Sequence, residues 1–389
     1  MRKLFFWLHL SAGVIAGVVI FIMSVTGVLL MYEKQLISWF DLRDLPPVSN
    51  SPRLSVETLL TRARASRAGM PSAIAMNADP LVPVQLIFGR EIAYQDPASG
   101  QILSTGNTSV RRFFRVVTDW HRWLATSDQN RAAGRATTGA ANLAFLFIVL
   151  SGAYIWVPKV WTAASVRAVT LFRGGLSGKA RDFNWHNVIG IWCFVPLVFV
   201  VASSSVISYP WASNLVYTLA GSPPPSAPAP RQEQARTERH PGARSATEVY
   251  LTGFNDLWQR AASHANQWRV LTMRLPASDR APVAFVIDQG YAGQPQKRIT
   301  LNLDRRTGDI TNREVYSDFN QGRQIRTWLR FVHTGEYYGI PGQTIAGIAS
   351  AGAAVLAFTG IALSLRRLAA WRSRRQRARE KVLAPQASA

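Results

Sequence analysis

One cysteine, Cys193, stands among the 389 residues, inside an apolar stretch. No internal disulfide is therefore possible, and a lone buried thiol behaves as a small, inert hydrophobe. The chain has no CxxC, so cysteine-ligated zinc and iron–sulfur sites are unsupported, and no CxxCH for covalent c-type haem. It also lacks HExxH, a phosphate-binding P-loop and a convincing GxGxxG, which leaves no recognisable metalloprotease, nucleotide, flavin or nicotinamide site of its own. Acidic residues are scarce, 22 against 44 basic, for a formal charge of +22. Such a balance raises the question of nucleic acid. Much of the excess, however, flanks apolar segments, where basic residues anchor a membrane protein, and no nucleic-acid partner is expected.

Long apolar runs are what the chain does have. Leu10–Met31, Gly139–Val157, Asn187–Tyr209 and Gln343–Leu365 each come near the roughly 20 residues that a ~30 Å hydrocarbon core requires. Arg2 and Lys3 precede the first, as in a signal peptide, but its apolar run is long and Met31-Tyr32-Glu33-Lys34 offers no small-x-small cleavage site, so it reads as a retained helix. Basic residues set the orientation. They cluster at the N-terminus, between the second and third spans (Lys159, Arg167, Arg173, Lys179, Arg181) and after the fourth (Arg366 to Lys381). Both termini are expected in the cytoplasm of a multi-pass inner-membrane protein, with the two large polar regions outside, in the periplasm of a Gram-negative cell.

The expected domains are a first transmembrane helix at 1–32, a first outer domain at 33–118, and an interfacial segment with the second helix at 119–158. A cytoplasmic loop at 159–184 and a third helix at 185–210 follow. A second outer domain at 211–325 carries a Pro-, Ser-, Ala- and Arg-rich insertion at 222–246. An interfacial segment with the fourth helix at 326–366 leads to a basic tail at 367–389. Both outer regions read as a short helix followed by strands. Ser55–Arg67, with Ser55 as N-cap, and Thr247–His264 suit helices. Val84–Phe88, Glu91–Tyr94, Val270–Leu275, Val283–Asp288 and Arg298–Leu303 suit strands. Each region also holds a tight Asp-x-x-Ser/Thr-Gly turn, Asp96–Gly100 and Asp304–Gly308, in which Asp caps locally and Gly accepts positive φ.

These likenesses extend to a repeat. A shift of 177 residues superposes Phe6 on Phe183, His9 on His186, Gly13 on Gly190 and Tyr32 on Tyr209. A shift of 208 carries Asp96 to Asp304, Gly100 to Gly308, Trp120 to Trp328, and Gly134, Gly139 and Gly152 to Gly342, Gly347 and Gly360. The expected fold is thus membrane α-helical, with four transmembrane helices in two pseudo-repeats, each bearing an extracytoplasmic α+β domain.

Four histidines follow from this plan. His9 and His186 open outward-running helices near the inner face; His121 and His333 precede inward-running helices near the outer face. Each half contributes one member to each pair, and paired imidazoles at equal depth suit the axial ligands of a haem. The expectation is two bis-histidine b-type haems, held by His9 with His186 and by His121 with His333. Within the outer pair, the 208-residue shift sets Leu329, not His333, opposite His121, an offset of one helical turn. His240, in the insertion, and His264, at the end of a predicted helix, read as solvated or surface residues. Arg115, Arg122 and Arg330 suit propionates or lipid phosphates, and Trp7, Trp185 and Trp192 suit the inner haem or interfacial anchoring.

The chain resembles the PepSY-associated transmembrane family, which includes bacterial iron-regulated membrane proteins and siderophore reductases. The resemblance rests on Leu8-His9-Leu10-Ser11-Ala12-Gly13, Trp120-His121-Arg122, Asn184-Trp185-His186-Asn187-Val188-Ile189-Gly190 and Val332-His333-Thr334-Gly335-Glu336, in that order, and on the two Asp-x-x-Ser/Thr-Gly turns, which resemble PepSY modules. It implies b-type haems on the membrane helices, with His9, His121, His186 and His333 as axial ligands, and reduction of a ferric siderophore in the periplasm. A separate electron donor is then required, a cytoplasmic reductase or a membrane quinol. Two other functions stay open: a cytochrome passing electrons to quinone or a protein partner, and a haem-free PepSY scaffold.

Overall fold

A computed structural model describes residues 1–49, 51–66, 69–158, 160–225, 251–291 and 293–383. Its helices are α1 (Arg2–Leu30), α2 (Glu33–Leu42), α3 (Val56–Ser66), α4 (Thr108–Trp123), α5 (Arg131–Trp156), α6 (Ala163–Thr170), α7 (Gly178–Ser208), α8 (Pro210–Leu219), α9 (Phe254–Ser263), α10 (Gln321–His333) and α11 (Gly339–Leu383). The strands are β1 (Ala73–Asn77), β2 (Val84–Phe88), β3 (Glu91–Gln95), β4 (Ile102–Ser104), β5 (Val270–Arg274), β6 (Val283–Asp288), β7 (Arg298–Leu303) and β8 (Ile310–Val315). The chain divides into two compact units. Met1–Tyr32, Phe113–Ser213 and Val332–Ala389 form the first, and Glu33–Arg112 with Asn214–Phe331 the second.

The first unit is a helical bundle, and four of its helical segments are long and apolar enough to cross a membrane. In it, α1 and α7 each pack against both α5 and α11, so α1 and α7 occupy opposite corners. The interior is small and apolar. Val149, Cys193, Leu197, Ala349 and Ala353 form one cluster, and Ala16, Ile20 and Ala141 another, with Phe145 packed against both. At one end, helix-terminal carbonyls that have no partner in their own helix are met from neighbouring helices, as a low-dielectric setting demands. Gln343 Nε2 donates to the Met31 carbonyl (2.7 Å), and Arg135 to that of Ser208 (3.5 Å). Gly347 and Gly139 leave room for the side chains of Met31 and Tyr209, each of which a Cβ would strike.

Helix α5 begins at Arg131, eight residues before the expected span. The expected loop at 159–184 likewise holds α6, with a capping box between Thr162 and Ser165, and the first turns of α7. The C-terminal carbonyls of α6 are met by side chains: Val169 by Trp156 Nε1 (3.4 Å), Thr170 by Trp192 Nε1 (3.0 Å), and Ala168 and Leu171 by Asn184 Nδ2 (3.5 and 3.2 Å).

The second unit is an antiparallel sheet in the order β4-β3-β2-β1-β5-β6-β7-β8, with one face covered by α3 and α9. Alternation writes this face: Val283, Phe285 and Ile287 on β6, and Ile299, Leu301 and Leu303 on β7, are buried. Against them lie Leu59 and Leu60 of α3 and Phe254 and Trp258 of α9. Ser55 Oγ accepts from the Thr58 amide (3.3 Å), the N-cap expected there. Sequence reading treats the two outer regions as separate domains, but β1 pairs with β5 from Ala73↔Arg274 to Asn77↔Val270 and their cores merge. Apart, each four-stranded meander would present its first strand as an open edge; pairing closes both. Strands β1, β4 and β8 escape the pattern because β1 is Ala-rich, β4 has three residues and β8 is a polar, exposed edge.

Both Asp turns form as read. The Asp96 carboxylate accepts from the Ala98 and Ser99 amides (2.9 and 2.6 Å), and Asp304 from those of Arg306 and Thr307 (2.8 and 3.0 Å). Gly100 and Gly308 close them at φ of +68° and +75°. Burial pushes the Asp96 carboxyl up, but the N–H donations of Ser99, Ser49 and Ala98 together outweigh it and hold it below the usual range.

A buried carboxylate ties this unit together. Asp41 of α2 accepts from the Tyr94 hydroxyl (2.9 Å) and the Asn107 amide (2.5 Å) and is ion-paired with Arg111. Burial, and then the Asp41 carboxylate itself, raise the Tyr94 hydroxyl above its ordinary range. Asp41→Asn strands Arg111 without its counter-charge; it should destabilise this unit by about 3 kcal/mol, read as a lowered midpoint in thermal unfolding.

Candidate functional site

The first unit brings the four predicted histidines together as two pairs. His9 of α1 faces His186 of α7 with ring centroids 6.5 Å apart, and His121 of α4 faces His333 of α10, also at 6.5 Å. A metal bridging two imidazole Nε2 atoms through bonds of about 2 Å, with about 1.1 Å from nitrogen to ring centre, sets centroids roughly 6.3 Å apart. Both pairs have that spacing. The ring planes differ, at 84° in the first pair and 49° in the second. Among the described residues no group of three or more His, Cys, Asp or Glu side chains could hold a metal ion. A metal centre at either pair would have two protein ligands, and a group that supplies the remaining donors itself, as a porphyrin does, fits that number.

The second observation concerns the other nitrogen. His9 Nδ1 lies 3.0 Å from Ser151 Oγ, His121 Nδ1 3.0 Å from Thr26 Oγ1, and His186 Nδ1 3.0 Å from Thr359 Oγ1. His333 Nδ1 lies 3.4 Å from Ser203 Oγ and 2.9 Å from the Val200 carbonyl. Each of these hydroxyls donates back to its own helix: Ser151 to Ile148, Thr26 to Ile22, Thr359 to Val355 and Ser203 to Val200. A hydroxyl has one proton, and with it given to the helix the oxygen can only accept. All four imidazoles are thereby assigned as Nδ1–H donors, with the Nε2 lone pair left for a metal.

These hydroxyls escape a reading that looks only for ligands, yet the sequence holds them. The shift of 177 that carries His9 to His186 also carries Thr26 to Ser203, and the shift of 208 carries Ser151 to Thr359. Glycines complete the setting. A Cβ at Gly152 would lie 3.2 Å from His9 Cε1, one at Gly360 3.5 Å from His186 Cε1, and one at Gly27 3.5 Å from His121 Cε1. The imidazole edges rest on bare backbone.

The four-residue offset of His333 resolves in the connections. Before α10, β8 is longer than β4 and a 3₁₀ turn at Tyr316–Asp318 is added; after it, the link to the next helix is shorter. From His121 to Gly134 is 13 residues, and from His333 to the matching Gly342 only nine. Longer before and shorter after, the second segment delivers its histidine opposite His121.

The link after His121 is tight. Leu124 and Ala125 both take left-handed backbone at φ of 53° and 52°, the only such non-glycine residues described. The Ala125 amide donates to the Asp119 carbonyl (3.1 Å) and Thr138 Oγ1 to that of Arg122 (3.0 Å).

His264 ends α9 on the surface, its Nδ1 2.7 Å from the Arg260 carbonyl, and His240 falls outside the described residues. Arg115, Arg122 and Arg330 are exposed, the last two stacked over Trp123 and Phe331. Trp7 lies under Arg367, Trp185 against Phe172.

A four-helix bundle with two facing histidine pairs defines the class, an integral-membrane protein built to hold paired imidazoles. The family described as PepSY-associated TM region matches residues 6–367, and the chain belongs to it. No curated protein matches the chain significantly.

Relief of the left-handed strain gives a direct check on the turn. Ala125→Gly should raise stability by about 1 kcal/mol and Ala125→Val should lower it by at least as much, read as opposite shifts in the unfolding midpoint.

Proposed function

We propose that this chain is a di-haem b-type oxidoreductase of the bacterial inner membrane that carries electrons across the bilayer and reduces ferric siderophore, an Fe(III) chelate, on the periplasmic side. The observation that carries the reading is the fourfold arrangement of imidazoles, each with Nδ1–H spent on a helix acceptor and each ring paired with another at bis-imidazole spacing. Membership of the PepSY-associated family supports it.

His9 and His186 would hold one haem, His121 and His333 the other. Bound haem supplies one-electron exchange between ferric and ferrous iron. The chain's own part is to fix and insulate. Ser151, Thr359, Thr26 and the Val200 carbonyl hold the ring orientation and raise ligand basicity. Ala16, Ile20, Ala141, Val149, Leu197 and Ala353 keep the bundle interior dry. His9 and Thr26 are 17 residues apart on α1, as are His186 and Ser203 on α7, which sets the two levels about 25 Å apart along the helices.

We take the two halves as pseudo-repeats: the shifts of 177 and 208 relate ligands, hydroxyl anchors and terminal glycines alike. Basic flanks put both termini on the cytoplasmic side. The His121/His333 pair then lies at the outer face, where exposed Arg115 of α4 suits an anionic chelate. Fe(III) is held tightly by hard oxygen donors; one electron converts it to Fe(II), which those donors hold less well. The electron comes from a separate donor.

Purified protein expressed with ample haem should show sharp b-type bands in a reduced-minus-oxidised spectrum, at two haems per chain. His9→Ala and His121→Ala should each remove one haem and abolish ferric-chelate reduction; colourless wild-type protein would refute the reading. Thr359→Val, which keeps shape but loses the acceptor for His186, should weaken haem retention at that pair by about tenfold, measured by haem transfer to an apo-protein scavenger.

A further inference from the structure

Where the electrons come from turns on the far end of α11. This helix runs unbroken for 45 residues, Gly339–Leu383, about twice what a bilayer needs. Its apolar part ends at Leu365, and the stretch from Arg366 to Leu383 continues for about 25 Å as helix. Arg372, Arg374, Arg375, Arg377 and Arg379 are all exposed, as is every described side chain from Ala369 to Arg379. At 100° per residue these five arginines spread over about 220° of the circumference. Glu380 is the one acidic residue of the tail.

The base of this projection is fastened beside the first histidine pair. Arg366 is ion-paired with the buried Asp182 (2.5 Å), one helical turn from His186 on α7, and Arg181 pairs with the same carboxylate (2.9 Å). Arg367 lies over the rings of Phe6 and Trp7, three and two positions from His9. The basic helix is therefore rooted at the pair through which, on the reading above, electrons enter.

Two partners of opposite charge could meet such a surface. A helix that lies on an anionic lipid surface keeps its basic residues on one face and an apolar stripe on the other. Here the arginines cover more than half the circumference, the rest carries Ala369, Ser373 and Gln376 rather than an apolar stripe, and no glycine or proline between Gly360 and Leu383 turns the helix into the membrane plane. That form suits an acidic macromolecule approached from the aqueous side. We propose that the Arg366–Arg379 projection is the docking site for a soluble, acidic one-electron carrier protein of the flavodoxin or ferredoxin kind. The proposal rests on the di-haem reading for its purpose, though not for the binding itself. Each encounter oxidises the carrier by one electron and, through the protein, reduces one Fe(III) to Fe(II); no proton or bond is exchanged. Charge of this sort acts on encounter and orientation, so binding should weaken with salt.

The test uses the full chain in neutral phosphatidylcholine nanodiscs, with an acidic flavodoxin as probe and a basic cytochrome c as control. Flavodoxin should bind and cytochrome c should not. Binding should fall by about tenfold between low and high salt and by at least that in the quadruple Arg372, Arg374, Arg375, Arg377→Gln variant, with haem content of the variant unchanged. Equal binding to the variant, binding indifferent to salt, or none at all would overturn the proposal. Protection of the tail from trypsin by anionic phosphatidylglycerol nanodiscs alone would replace it with a lipid surface. Colourless protein that still binds flavodoxin would leave the docking site standing and defeat the di-haem reading; haem-loaded protein that does not bind would do the reverse.

Discussion

A ring nitrogen in a membrane bundle must have a partner, and this chain meets that demand with one device at three histidines and, at His333, with the Val200 carbonyl beside Ser203. A Ser or Thr on an adjacent helix gives its only proton to its own backbone, and its oxygen is left to accept from an imidazole Nδ1–H. Everything else at the candidate centre depends on this bond. It fixes the tautomer and orients the ring plane. It also explains the glycines, because an imidazole lying along a helix to reach a hydroxyl needs a neighbour without a side chain, as at Gly152 and Gly360.

The same bond ties the halves together. His9 is anchored by α5 and His186 by α11, the helices that pack on both flanks of α1 and α7, so loss of packing at any corner of the ring disturbs the pair. The His121/His333 pair is held differently, by anchors on α1 and α7 themselves and by helices that end at or just beyond their histidines. Left-handed backbone follows both, at Leu124 and Ala125 in one half and at Gly335 in the other. The second half meets the same turn with glycine where the first uses residues that resist it.

Much of this was legible in the residues. Apolar length gave the four spans, and repeat arithmetic gave the histidine pairing, because ligands at matching depth on related helices need matching positions. The same arithmetic held Thr26 with Ser203 and Ser151 with Thr359, unread because a hydroxyl in an apolar helix looks like ordinary small-residue packing. Other features lay beyond local pattern. The joining of two meanders through β1 and β5 depends on a long-range edge pairing between Ala-rich and apolar strands, and no periodicity announces which edges meet. Asp41 is equally silent: an acid near the end of the short helix α2, it matters only because Tyr94, Asn107 and Arg111 converge on it. The four-residue offset of His333 pointed away from the pairing that the structure shows, since compensation in a connecting turn is invisible to a fixed shift.

Electron paramagnetic resonance of the oxidised, haem-loaded protein at low temperature tests the central claim most directly. The angle between axial imidazole planes sets the splitting of the iron orbitals, and near-perpendicular planes leave them almost degenerate. The account predicts two low-spin ferric signals: a highly anisotropic one from His9 and His186, whose planes cross at 84°, and a more rhombic one from His121 and His333 at 49°. A high-spin signal at either site, or a single low-spin species, would contradict it.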